Sequence, residues 1–169
     1  IDAAINKCTA SNGDIIHVAE GHAETITTAA ILVPDVAGVI IKGYGHGQMR
    51  PTLTFNAATT ANIPISAAGV AFKNFIFLCD LDDITAAVTI SAADVALEDV
   101  EIRDQTDKEF ITQILTTSAA DRLTLRRVFH NGFITGNACT EAVSLIGVDV
   151  ALIEDCRFLG NYSTAAVNM

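Results

Sequence analysis

Apolar residues alternate at Val95 and Leu97, the alternation breaks at the polar pair Glu98-Asp99, and it resumes at Val100 and Ile102. A strand has a side-chain period of two, and a one-residue slip is absorbed only where the chain bends. The stretch therefore predicts two short strands meeting at a corner. The unit recurs at Val70 to Phe77, Leu123 to His130 and Ala151 to Phe158, with a truncated copy at Val39 to Tyr44. The first residues of the corner pairs, Lys42, Lys73, Glu98, Arg126 and Glu154, lie 31, 25, 28 and 28 residues apart. Such a period marks a solenoid.

A third strand is predicted ahead of each copy, at Ile31 to Val33, Ile63 to Ser66, Val88 to Ser91, Ile114 to Thr117 and Val143 to Ile146. Turns ending in Gly or Asp follow it, as in Ala67-Ala-Gly69 and Ala92-Ala-Asp94, where positive φ is tolerated. Three short strands per turn with no helical spacing between them predict an all-β fold, a parallel β-helix of about five coils. Stacking the copies puts Ile41, Phe72, Leu97, Leu125 and Ile153 in one interior column, and Tyr44, Phe75, Val100, Val128 and Cys156 in another. The corner charges form ladders of alternating sign, Lys73, Glu98, Arg126 and Glu154 beside Asp99, Arg127 and Asp155. Each exposed pair is worth little, so their expected role is to fix register.

Ile1, Ala4, Ile5 and Cys8 share one helical face, and Asn12-Gly13 is a stop signal. Residues 1–13 are thus expected to form a capping helix and turn, and 14–169 a single β-helix domain. The final stretch, Ala165 to Met169, reads as the opening strand of another coil, so that either the chain is truncated at its C-terminus or something else covers the open end.

The opening Ile1-Asp-Ala-Ala-Ile-Asn, the run Asn12-Gly-Asp-Ile-Ile-His-Val-Ala-Glu-Gly-His-Ala-Glu-Thr-Ile26 and the segment Val36 to Phe55 resemble pectin-lyase-like right-handed β-helix proteins. Among these, the chain resembles small β-helix proteins from the structural genes of tailed bacteriophages. The resemblance implies a right-handed β-helix and a virion component such as a head decoration, fibre or spike module, located in the virion and working with other virion proteins. The same fold hosts lyases, glycosidases and adhesins. A polysaccharide-binding or polysaccharide-cleaving protein and a secreted or cell-surface adhesin repeat are therefore the competing expectations.

Composition narrows these classes. Ten basic against twenty acidic residues give a net charge of −10, which argues against nucleic acid as a partner. No apolar run reaches the ~18 residues of a membrane span, so no membrane partner is expected. Cys8, Cys79, Cys139 and Cys156 have no zinc-finger spacing and are expected to be reduced thiols acting as small hydrophobes, two disulfides being the alternative. The Gly43-Tyr-Gly-His-Gly47 run lacks the Lys-Ser/Thr and following helix of a phosphate loop.

Of the motifs that phage and plant enzymes of this fold use, the Arg-x-Lys element is absent. The chemistry that remains is acidic: Asp80, Asp82 and Asp83 on one loop, with Asp104, Asp107 and Glu109 expected one coil away. Solvated loop tips that keep a solenoid from edge pairing are the plainest reading. The sharper ones make Asp82 and Asp104 a carboxylate pair at the ~5 to 5.5 Å spacing of a retaining glycosidase, or let Asp80, Asp82, Asp83 and Asp107 hold Ca²⁺. No other cofactor is expected. With no Trp and two Tyr, a sugar-stacking groove is disfavoured. His130 aligns with Ile102 and Phe158 and is expected inside, bonded to backbone. Ile76 and Phe129 fall on the outer face beside Glu101 and Arg157, predicting an exposed apolar strip and a homo-oligomer, a trimer by resemblance to phage spikes.

Overall fold

The computed structural model describes residues 1–133 and 138–169. A single turn of helix, α1 (Asp2–Ile5), opens the chain, shorter than the helical face expected from Ile1 to Cys8. Ile5 is buried, the terminal ammonium of Ile1 lies 2.9 Å from Glu24, and Asp2 accepts a bond from the Val33 amide. These contacts seat α1 on the first coil.

Seventeen strands follow among the described residues. The first coil has β1 (Ile15–Val18) and β2 (Ala23–Ile26); the second β3 (Ile40–Gly43), β4 (Thr52–Phe55) and β5 (Ile63–Ile65); the third β6 (Ala71–Lys73), β7 (Ile76–Cys79) and β8 (Ile84–Ile90). The fourth has β9 (Ala96–Glu98), β10 (Glu101–Arg103) and β11 (Phe110–Thr116), and the fifth β12 (Leu123–Arg126), β13 (Phe129–Asn131) and β14 (Cys139–Ser144). The sixth has β15 (Ala151–Glu154), β16 (Arg157–Leu159) and β17 (Tyr162–Asn168). Every ladder is parallel. The first sheet runs β1-β3-β6-β9-β12-β15, the second β2-β4-β7-β10-β13-β16, and the third β5-β8-β11-β14-β17. The fold is a parallel β-solenoid of six coils, one more than expected, because the first coil turns its corner at Gly21 without a charged pair.

The interior columns explain the register. Ile16, Ile41, Phe72, Leu97, Leu125 and Ile153 are successive partners in the first sheet. In the second, Leu53, Phe77, Ile102, His130 and Phe158 line up in the same way. A one-residue slip would turn every one of these side chains to solvent. Phe55 packs edge-on against Phe110, with ring centres 5.1 Å apart, and Phe72 against Phe75 at 5.5 Å.

The corner between the first two sheets is set by Asn74, Asp99, Arg127 and Asp155, all left-handed with φ between 51° and 63°. Its charges pair up the stack: Lys73–Glu98 at 3.0 Å, Arg126–Glu154 at 2.5 Å and Arg127–Asp99 at 2.6 Å. Arg122 grips Asp94 similarly at the preceding corner.

Three sequence expectations are corrected. Ile31 to Val33 forms no strand: Ile65 accepts from Ser91 of the next coil, so the nitrogen of the neighbouring Pro64 faces the first coil and has no hydrogen to offer. Tyr44 is not in the second interior column; it is exposed and bonded to His17, while Pro51 takes its place, because residues 44–50 form an excursion between β3 and β4. Ile76 and Phe129 do lie opposite Glu101, but they form no exposed strip. Ile76 is only 1% accessible, and Phe129 is half-buried under the Arg157 guanidinium at 5.1 Å.

Candidate functional site

Where the second sheet hands the chain to the third, the interior columns change from apolar to polar. Two residues beyond the Leu53–Phe77–Ile102–His130–Phe158 column runs another: Phe55, Cys79, Asp104, Gly132 and Gly160. The amide of Asp104 bonds the Asn131 carbonyl, and that of Gly132 the Leu159 carbonyl, which keeps this step in ladder register. By the Thr112–Glu141 register, Cys139 opens β14 opposite Phe110, and Tyr162 pairs with Cys139 one coil on. Three columns thus deliver Asp104, His130, Cys139 and Tyr162 to one place.

His130 fills the space left by the glycines. A Cβ on Gly132 would stand 2.7 Å from its ring, and one on Gly160 3.0 Å. The Nε2 of His130 lies 2.9 Å from Asp104 Oδ2, and its Nδ1 lies 2.5 Å from the Tyr162 hydroxyl. The Cys139 thiol points at the same Asp104 oxygen at 3.7 Å. His130 is interior as expected, but side chains rather than backbone satisfy it. Asp104 and His130 side chains are completely inaccessible. Burial, and then the Asp104 charge, push the Cys139 thiol up to about 12. Burial also raises Tyr162 and Cys79.

The acidic loops do not merge into one cluster. Asp82 and Asp83 are exposed and meet Glu109, each offering an oxygen within 4.8 Å of the others, an oxygen-only set of the kind hard cations take. Glu109 is raised by burial and then by Asp82, Asp83 and Asp104, while its Oε1 accepts from the Ala138 amide. Asp80 is outside this group, bonded to Lys108 at 2.5 Å and Gln105 at 2.9 Å. Asp107 takes a left-handed turn at φ 55° and is not among the three. Asp82 and Asp104, expected to face one another, belong to different groups, one in solvent and one in the core.

On the outer face of the second sheet, Glu101 is bonded by Arg50 and by Arg103 at 2.8 Å, with Asn131 at 3.2 Å. Burial opposes ionisation of Glu101, and the two guanidiniums outweigh it and hold it below the usual carboxylate range. This network roofs Ile76. Beside it is a recess of about 290 Å³ lined by Arg50, Asn74, Glu101, Arg127 and Phe129 among others.

All four cysteines are free, Cys79 and Cys139 buried and Cys8 and Cys156 partly so. No helix among the described residues is long and apolar enough to cross a membrane. Comparisons with protein-family models, with curated proteins and with solved structures gave no match.

Proposed function

We propose that this chain is a structural component of a tailed-bacteriophage virion, a head decoration, fibre or spike module that works as a rigid spacer. The observation that carries this reading is the coil-to-coil pairing of corner charges, from Lys73–Glu98 through Arg126–Glu154, on a stack whose hydrophobic columns run through every coil. Quasi-one-dimensional stacks of this kind are stiff, and each coil is held chiefly by its neighbours. The resemblance of residues 1–26 and 36–55 to phage β-helix proteins supplies the setting. Partners are copies of itself, as a trimer through the second sheet where Phe129 is half-exposed, and other virion proteins.

Mass spectrometry of intact particles from the source tests the setting: peptides of this chain at structural-protein abundance support it, and their absence from clean particles sinks it. Light scattering tests the assembly, with an oligomer in the native chain that Phe129→Glu dissociates as the expected result.

A second reading rests on the recess beside Phe129, whose Arg and carboxylate lining over an aromatic face suits a surface glycan. Binding on a glycan array that Arg50→Ala abolishes would favour it. The Asp82 and Asp104 pair gives no support to glycan cleavage, because one of the two is sealed in the core.

A further inference from the structure

Among the described residues, the buried side-chain acceptors without a partner are Asn62 Oδ1, Asp104 Oδ1, Glu109 Oε2 and Gln113 Oε1. Three of these four come from residues grouped around Cys139. Asp104 approaches its sulfur at 3.7 Å and Gln113 at 3.5 Å, and Glu109 is close enough for its charge to bear on the thiol. A folded core rarely leaves one such group unsatisfied, since each costs about 1–3 kcal/mol. Here acceptors outnumber the donors that His130, Cys139 and Gln113 supply, an excess that suits a cation.

The donor set identifies the cation's class. Asp104, His130 and Cys139 each offer one ligand atom within 4.8 Å of the other two, and all three are buried. The 3.7 Å between Cys139 and Asp104 falls in the ~3.3 to 3.8 Å that separates donors around one tetrahedral ion with bonds near 2.0 to 2.3 Å, and the 2.9 Å His130–Asp104 hydrogen bond would open by about 0.4 Å to join it. One carboxylate, one imidazole and one thiolate suit a borderline-soft divalent ion rather than Ca²⁺ or Mg²⁺. We propose that Asp104, His130 and Cys139 bind a structural Zn²⁺ that ties the fourth coil to the fifth.

Binding through Nε2 places the imidazole proton on Nδ1, where the Tyr162 hydroxyl oxygen accepts it, so Tyr162 of the sixth coil is the residue that orients the ligand. The thiol proton of Cys139 is released to solvent when the ion binds. Because the site is sealed, loading accompanies folding. The inference is independent of the virion setting, as it concerns only what the core holds.

The test refolds the full chain from urea under reducing conditions with Zn²⁺, with Co²⁺ or with chelator, then desalts it. The expected result is about one equivalent of metal retained, a thiolate-to-cobalt absorption band, and a higher unfolding midpoint than in chelator. Metal and band are lost in Cys139→Ser and kept in Cys8→Ser/Cys156→Ser, and Tyr162→Phe weakens retention about 10- to 100-fold. A native chain that folds identically with chelator and keeps no metal overturns the proposal, whether or not a variant folds. So does retention that Cys139→Ser leaves intact, or that the Cys8/Cys156 variant abolishes.

Discussion

The corner between the first and second sheets and the junction between the second and third each join a carboxylate to a partner on the next coil, yet water reaches only one of them. At the first, Asp99 and Arg127 meet at 2.6 Å with nearly half of each side chain exposed. At the second, Asp104 and His130 meet at 2.9 Å with none. The pair geometry is similar and the surroundings are not, so salt can screen only the exposed pair. Exposed pairs set register, whereas a buried pair commits the core to keeping both members.

The largest effect should follow from breaking the buried pair. In chelator-treated protein, His130→Leu leaves the Asp104 carboxylate uncompensated and should cost about 3–5 kcal/mol in urea unfolding. Adding Asp104→Leu should restore most of that loss, and a double variant as unstable as the single one would contradict this account. Next comes Gly132→Ala, whose Cβ would press on His130 and Asp104 within 3 Å. Overpacking of this kind costs about 1–3 kcal/mol, again read from the urea midpoint.

At the exposed corner, Asp99→Asn keeps a residue that tolerates the left-handed turn and removes only the charge. It should cost no more than about 1 kcal/mol, and less at 1 M salt. A loss that ignores salt would show that the ladder carries more than a surface pair.

The two regions should also respond to acid with opposite signs, the smallest effect of the four. Arg127 holds Asp99 below its unfolded value, so stability from that pair is present above the unfolded value and lost as pH falls through the folded one. Glu109 is raised by burial, so the folded state favours its protonated form, and stability declines as pH rises from about 4 through its folded value. Melting curves across that range should show the decline flattened in Glu109→Gln and the acid loss flattened in Asp99→Asn.

The columns were legible in the sequence wherever one residue type repeats at one step, as Ile41, Phe72, Leu97 and Leu125 do. The first coil was left out of the repeat only because it lacks a charged corner. Tyr44 was misplaced since the excursion at 44–50 moves the column to Pro51, although the Gly43-Tyr-Gly-His-Gly47 run marks a turn there. The buried cluster was half visible. His130 announced itself by aligning with Ile102 and Phe158, but Asp104 read as the start of an acidic loop. The signal that could have placed it is the step two residues further on, where Phe55, Cys79, Asp104, Gly132 and Gly160 fall in one file. Cys139 and Tyr162 come from the third sheet, and only closure of the coil brings them near.

The even spacing of partners along the chain has a mechanical consequence. Arg126 bonds Glu154, and Arg122 bonds Asp94, each across 28 residues, so the ties that close a coil span one coil length. Pulled from its two ends in an optical trap, the chain should therefore extend in discrete, nearly equal steps. Each step would release roughly 28 residues of slack, on the order of 95 Å at full extension. A Zn²⁺ bridge between the fourth and fifth coils would merge two of those steps into one.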